Sequence, residues 1–263
     1  MFQYAEAHKT VKRQKEFTFT LPIGYRDEDG NLHREATLRK MTGREEEVLA
    51  EPMYANNGGK LVTQLLYNCL LRLGTLPNIT REVVSNLYSP DRNFLLVKLR
   101  TITFGPELQA NYTCSSCGTL NYVLEDLDSL PVKNWEDGED VEIEVELEDG
   151  YEDKGVVHTH MVFRPPRGED EEKIADIAKR NIVKGKNALL TRCLKKFGEM
   201  ETYRFQGLGT IIFEELTLKD RRKIDESLEK NMPGIELSRE IQCVGCGKTN
   251  RVDIDLENFL YPE

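Results

Sequence analysis

Two Cys-x-x-Cys-Gly segments, Cys114-Ser-Ser-Cys117-Gly118 and Cys243-Val-Gly-Cys246-Gly247, constrain this chain most, because they close two matching stretches of sequence. Gly30-x-x-His33 recurs as Gly155-x-x-His158. Arg39 then falls on Arg164, Gly43 on Gly168 and Glu46-Glu47 on Glu171-Glu172, all at an offset of 125. Leu65-Leu66-x-x-Cys69-Leu70 matches Leu189-Leu190-x-x-Cys193-Leu194, and Gly74 matches Gly198, at an offset of 124. From Asp91 on Asp220 to Cys114 on Cys243 and Asn121 on Asn250 the offset is 129. Nearly equal offsets in unbroken order predict a tandem duplication, with a first repeat at residues 10–131 and a second at 140–263.

Each repeat reads as α+β. Phe17-Thr18-Phe19-Thr20-Leu21 and Val141 to Leu147 alternate with period two, as strands with one buried face do. A turn and a second strand follow each. Thr42-Gly43-Arg44-Glu45 has the spacing of a capping box. Leu61, Val62, Leu65, Leu66, Cys69, Leu70 and Leu73 form a helical stripe, repeated by Ile182, Val183, Leu189, Leu190, Cys193, Leu194 and Phe197. A third helix is expected to open at Ser89-Pro90-Asp91 with Ser89 as its cap, and its counterpart spans about Thr217 to Asn231. The stretch from Pro131 to Asp140 reads as a polar, acidic linker.

Six cysteines divide into two kinds. Cys69 and Cys193 sit on apolar helix stripes and read as packing residues. Cys114, Cys117, Cys243 and Cys246 form two knuckles of the zinc-ribbon kind, in which two residues of spacing let both thiolates reach one ion and the following Gly permits the tight turn. One knuckle per repeat leaves three arrangements open. All four Cys enclose a single structural Zn²⁺ per chain, each pair recruits other ligands such as His33 or His158, or the thiols are free or disulfide-bonded. A closed four-thiolate site leaves no position for water or substrate, so it points to structure and away from catalysis.

Composition narrows the function. Of 263 residues, 39% are hydrophobic and 31% charged, and 36 Lys+Arg against 46 Asp+Glu give a net charge of −10. That balance argues against broad nucleic-acid binding. No apolar run approaches the ~20 residues of a bilayer span. The opening Met1-Phe2-Gln3-Tyr4-Ala5-Glu6 lacks the basic-then-apolar design of a signal peptide, so the chain is expected to be made in the cytoplasm and to stay off membranes. There is no Gly-x-x-x-x-Gly-Lys-Ser/Thr loop, Gly-x-Ser-x-Gly elbow or His-Glu-x-x-His pair, and neither an enzyme nor a small-molecule substrate is expected. The acidic run from Glu136 to Asp153 reads as linker and solvated strand face. The basic cluster Lys179-Arg180, Lys184, Lys186, Arg192, Lys195-Lys196 reads as a solvated or subunit-facing helix surface, with phosphate contact as the alternative.

The order of features then takes on a family likeness. Phe17-x-Phe19-x-Leu21-Pro22, the Gly30 hairpin, Met41-Thr42-Gly43-x-Glu45-Glu46, a leucine-rich helix, Asp91-x-x-x-Leu95-x-x-x-Leu99-Arg100-x-x-x-x-Gly105 and Cys114-x-x-Cys117 follow one another. This sequence resembles the baseplate hub and hub-assembly proteins of contractile-tailed, T-even type bacteriophages and related injection systems. The resemblance implies a structural virion component of a tail baseplate, with other tail proteins as partners and no catalytic residues carried over. An assembly chaperone of the same system, or a zinc-ribbon protein that binds nucleic acid, are the alternatives it leaves.

Overall fold

A computed structural model describes residues 15–136, 139–254 and 260. The repeat limits at 10–14 and 255–263 (Leu260 apart), the opening hexapeptide and residues 137–138 of the expected linker lie outside the described residues.

The expected alternation becomes β1 (Phe17–Arg26), antiparallel to β2 (Leu32–Leu38). Next come α1 (Gly43–Leu49), a 3-10 turn (Pro52–Tyr54) and α2 (Gly58–Cys69), which runs straight into β3 (Leu70–Leu73). Then follow α3 (Arg81–Asn86), α4 (Ser89–Phe104) and a hairpin of β4 (Glu107–Thr113) and β5 (Leu120–Asp126). After β6 (Val132–Lys133) the same plan returns. It comprises β7 (Ile143–Asp153), β8 (Val156–Phe163), α5 (Gly168–Arg180), α6 (Ile182–Cys193) and β9 (Leu194–Phe197). The chain ends in α7 (Thr202–Leu208), α8 (Ile211–Glu215), α9 (Leu218–Asn231), β10 (Gly234–Ile235) and a hairpin of β11 (Ser238–Gln242) and β12 (Thr249–Asp253).

The two three-stranded sheets, β1-β2-β3 and β7-β8-β9, agree in register. The first strand bulges between Thr20 and Tyr25 in one and between Glu146 and Tyr151 in the other. Each bulge is held by a buried carboxylate at the start of a helix. Asp91 of α4 accepts from the amides of Ile23 and Gly24, both at 2.8 Å. Asp220 of α9 accepts from Glu148, Asp149 and Gly150 at 2.7, 3.2 and 2.9 Å.

Three sequence expectations are corrected. The second stripe does not begin at Ile182 and Val183, which are 79% and 55% exposed on the first turn of α6. The helical stripes do not run to Leu73 and Phe197: both helices stop at a cysteine, and the last four residues are a third strand. Ser89 does not cap α4. It is the first helical residue, Tyr88 occupies the cap position, and the Ser89 amide donates to Pro166 O at 2.7 Å. Other caps hold. Thr217 Oγ1 accepts from Asp220 N at 3.2 Å. The Thr42 amide donates to Glu45 Oε2 at 2.8 Å, and Glu45 also receives both ends of the Arg39 guanidinium at 2.8 and 3.0 Å.

Burial pushes the Glu45 carboxyl up, but Arg39 and the Thr42 amide and hydroxyl outweigh it and hold it at about 2. A depressed folded-state value stabilises the fold above the ordinary 4.5 and is lost as pH falls through about 2. Glu45→Gln is therefore expected to cost on the order of 3 kcal/mol at pH 7. The gap to wild type should shrink steadily as urea titrations move from pH 4.5 towards 2, and a gap independent of pH would refute the assignment.

Each half has its own core. Leu21, Leu38, Leu65, Leu66, Leu95 and Leu99 anchor the first, and Met161, Phe163, Phe197, Phe205, Ile212 and Phe213 the second. Ile254 and Leu260, from the end of the chain, join the first core. Between the halves lies a third cluster of Ile23, Tyr88, Val141 and Ile143. The expected linker is thus tied in and not free. β6 pairs with β10, and Trp135 N donates to Pro22 O at 2.9 Å.

Candidate metal centre

Both knuckles sit at the tips of two-stranded hairpins, β4-β5 and β11-β12. Their turns are built alike. The Cys114 amide donates to Thr119 O and the Gly118 amide to Cys114 O, each at 2.9 Å; Cys243 to Lys248 O and Gly247 to Cys243 O repeat these distances. Gly118 (φ 72°) and Gly247 (φ 71°) adopt the left-handed conformation that side chains disfavour, which is why Gly follows each pair.

The hairpins meet tip to tip. Cys114 Sγ lies 3.7 Å from Cys246 Sγ, and Cys117 Sγ lies 3.6 Å from Cys243 Sγ. All four sulfurs fall within 4.8 Å of one another. Ligands about 2.3 Å from a tetrahedral zinc stand about 3.8 Å apart, so the four thiols have the spread of such a shell. A disulfide needs about 2.05 Å, so none joins them, and all six cysteines are free thiols. One sulfur in each pair is shielded: Cys114 and Cys243 are buried, Cys117 and Cys246 exposed.

Backbone amides aim at the buried sulfurs, Ser116 N at Cys114 Sγ (3.4 Å) and Gly245 N at Cys243 Sγ (3.3 Å). The amides of Ser116 and Cys117 pull the Cys114 thiol down to about 6, and the Cys246 amide leads in pulling Cys243 down. Cys246 moves the other way, to about 11. The Lys248 amide lowers it, but the sulfurs of Cys117, Cys114 and Cys243, together with desolvation, oppose a further negative charge by more. Four sulfurs crowded in this way resist full ionisation, and a divalent cation offsets that charge. The cluster could hold a metal ion of the thiophilic kind.

Two residues that the sequence matches to each other, but that carry no ligand chemistry of their own, stitch the site together. Asn121, 2% exposed, accepts from Val244 N at 2.9 Å and so holds the opposite knuckle. Asn250 accepts from Ser115 Oγ at 3.1 Å and does the reverse. Their signal lay in the repeat, since each stands four residues beyond the second Cys of its pair and one matches the other. Lower down, Glu125 accepts from Tyr112 OH (3.2 Å) and from Arg239 Nε (3.1 Å), which ties the hairpins a second time.

His33 and His158 are not brought to the sulfurs. His33 Nε2 lies 2.9 Å from Asp27 Oδ2, and its Nδ1 accepts from Thr75 N at 3.3 Å. His158 packs against the Phe197 ring. Cys69 and Cys193 are buried in the two cores as expected, and burial raises both thiols to about 12.

Four of the seven basic side chains in the cluster have partners within the fold. Lys179 bonds Asn56, Lys186 pairs with Asp225, Arg192 with Asp170 and Lys195 with Glu142. The acidic run from Ile143 onward is β7, with its acidic side chains on the outer face. Val145 and Leu147 point inward, while Glu146 meets Thr159 and His160, and Glu148 meets Lys219 and Lys223. No described helix is long and apolar enough to cross a membrane.

A scan of protein-family models matches residues 13–260 to the family described as T4 bacteriophage base plate protein. Comparison with curated proteins and with solved structures gave no match.

Proposed function

This chain belongs to the T4 bacteriophage base plate protein family, and on that footing we propose that it is a non-enzymatic structural subunit of a contractile tail, at or near the baseplate hub. Its folded form is two duplicated halves clamped by one shared structural zinc. Membership implies association with other tail proteins and a place in the virion tail.

The observation that carries the reading is the origin of the four-thiol cluster: each half contributes two sulfurs. Four thiolates complete a tetrahedral shell, so an ion held there has no open position for substrate and acts as a fastener. Zinc suits a redox-inert fastener built of Cys alone. Duplication is supported by the matched sheet registers and bulges, by the Asp91 and Asp220 anchors and by the paired hairpins.

Mass spectrometry of purified tails tests the role. Peptides from this chain are expected at a fixed ratio to other baseplate proteins. Abundance in cells assembling tails combined with absence from finished tails would replace this reading with that of an assembly chaperone. A hydrolase or transferase activity abolished by a point substitution that leaves folding intact would overturn the non-enzymatic assignment.

A further inference from the structure

The outer face of the first hairpin inverts the usual strand pattern. Along β5, Asn121 and Glu125 point inward, where they hold the opposite knuckle and Arg239. Leu120, Tyr122 and Leu124 point outward and are 43%, 77% and 63% exposed. They lie beside one another on one face, opposite Thr113, Asn111 and Gln109 of β4.

The second hairpin supplies an internal control. It has the same register, and its corresponding outward residues are Thr249, Arg251 and Asp253, opposite Gln242, Glu240 and Ser238. The hairpin fold and the four-thiol tip therefore form with polar residues at these three places. Apolar residues on the first copy need another cause, and three large side chains in a row on one exposed strand face mark a site of contact with another protein.

Charge narrows the partner. Residues 107–126 include no Lys or Arg. Glu107 and Asp126 stand directly opposite each other at the base of the hairpin, a like-charge cross-strand pair. Among the described residues no cation forms a salt bridge with either. A second copy of this hairpin would bring no cation to meet them. We infer that the Leu120, Tyr122 and Leu124 face docks another tail protein, whose surface is apolar at its centre and carries Lys or Arg where it meets Glu107 and Asp126. The inference rests on the chain's role in tail assembly, and does not depend on its being retained in the particle.

A photo-cross-linking residue placed at position 122 of the full-length chain, in cells assembling tails, tests it, with position 251 on the twin hairpin as control. Position 122 is expected to give one adduct with a different tail protein, and the cross-linked peptide should be apolar with Lys or Arg within a few residues. Position 251 should not give that adduct. Glu107→Lys with Asp126→Lys should lower the adduct yield at least tenfold. Leu120→Thr, Tyr122→Arg and Leu124→Asp together, which copy the twin, should leave zinc content and melting temperature unchanged while tail assembly falls at least tenfold. An adduct with a second copy, equal adducts from positions 122 and 251, an unaltered yield after charge reversal, or normal tails from the triple variant would each overturn the inference. Should the triple variant fail to fold, the cross-links decide alone. Absence of the chain from finished tails with the position 122 adduct intact would remove only the retained-subunit reading. No adduct while the chain is present in tails would remove only this face.

Discussion

On the proposed reading of one shared zinc per chain, Cys117→Ser alone is expected to release nearly all the metal, and Cys246→Ser is expected to do the same. The reason is the mixed origin of the cluster. Cys117 Sγ approaches Cys243 Sγ at 3.6 Å, and Cys114 Sγ approaches Cys246 Sγ at 3.7 Å, so each knuckle faces the other and neither can form a four-ligand shell alone. A serine hydroxyl replaces a soft thiolate with a weak, protonated oxygen donor, and three sulfurs remain. The double variant should be little worse than either single one, because residues acting on one ion couple and do not add. Two independent sites predict two ions per wild-type chain, half lost in each single variant and all lost only in the double. Atomic emission on the four proteins separates these outcomes. Heat supplies the second readout. Structural zinc contributes about 10–16 kcal/mol in small zinc-finger peptides. Here each half has its own core, so only part of that is expected, and each kcal/mol lowers Tm by about 2–4 °C in a chain of this size. A loss of even a third moves the midpoint by roughly 10 °C. Two zinc ions per wild-type chain would end the shared-site model.

Much of this architecture is legible in the sequence because both halves repeat the same local signals. The period-two run at Phe17, the Thr42 cap and the Cys-x-x-Cys-Gly tips form where their chemistry places them, and the run from Val141 becomes a strand that starts two residues later, at Ile143. The third strands were illegible for a specific reason. Leu70 and Leu73 are both buried, with Leu71 and Arg72 exposed between them, which is the spacing of a helix. In the sheet, Leu73 pairs with Ala36, Arg72 with Thr37 and Leu70 with Leu38, so Leu71 is an extra residue in the ladder. A bulge of this kind turns period two into period three. Phe197, Lys196 and Leu194 repeat it, with Lys195 as the extra residue. At the metal centre, residue spacing identifies the sulfurs. That the two tips meet, and that Asn121 and Asn250 cross over to hold them there, depends on contacts more than a hundred residues apart that no local pattern encodes.

The seam between the halves holds the other large effect, at a residue whose sequence position looks ordinary. Arg92 follows Asp91 in the first turn of α4, where a solvated cation would attract no notice, yet it is 1% exposed. Its Nη1 donates to Thr63 Oγ1 (2.9 Å) and Val84 O (3.0 Å), its Nη2 donates to Gly59 O (2.9 Å), and its Nε lies 3.8 Å from Glu171 Oε2 across the seam. Thr63 in turn donates to Glu172 of the second half. Burial pushes the guanidinium pKa down, while the carboxylates of Glu171 and Glu172 oppose it. Arg92→Ala removes the donor from two carbonyls and a hydroxyl, opens a cavity and leaves the Glu171 charge without its partner. The expected cost is about 3–5 kcal/mol, from the buried acceptors left unpaired and the cavity opened, because Glu171 is 34% exposed and its ion pair adds little. Arg221, the counterpart in the second half, bonds Phe213 O and is only partly buried. Arg221→Ala should cost about 1 kcal/mol, the net worth of one ordinary hydrogen bond. Gly168→Ala probes the same clamp with Arg92 in place, since a Cβ there would lie 2.2 Å from Arg92 Nη1, and it should destabilise in the same direction. With separate cores on either side of the seam, Arg92→Ala is also expected to split one calorimetric transition into two as the halves uncouple. Equal costs for Arg92→Ala and Arg221→Ala, or a single sharp transition at an unshifted midpoint, would show that the buried guanidinium does not join the halves.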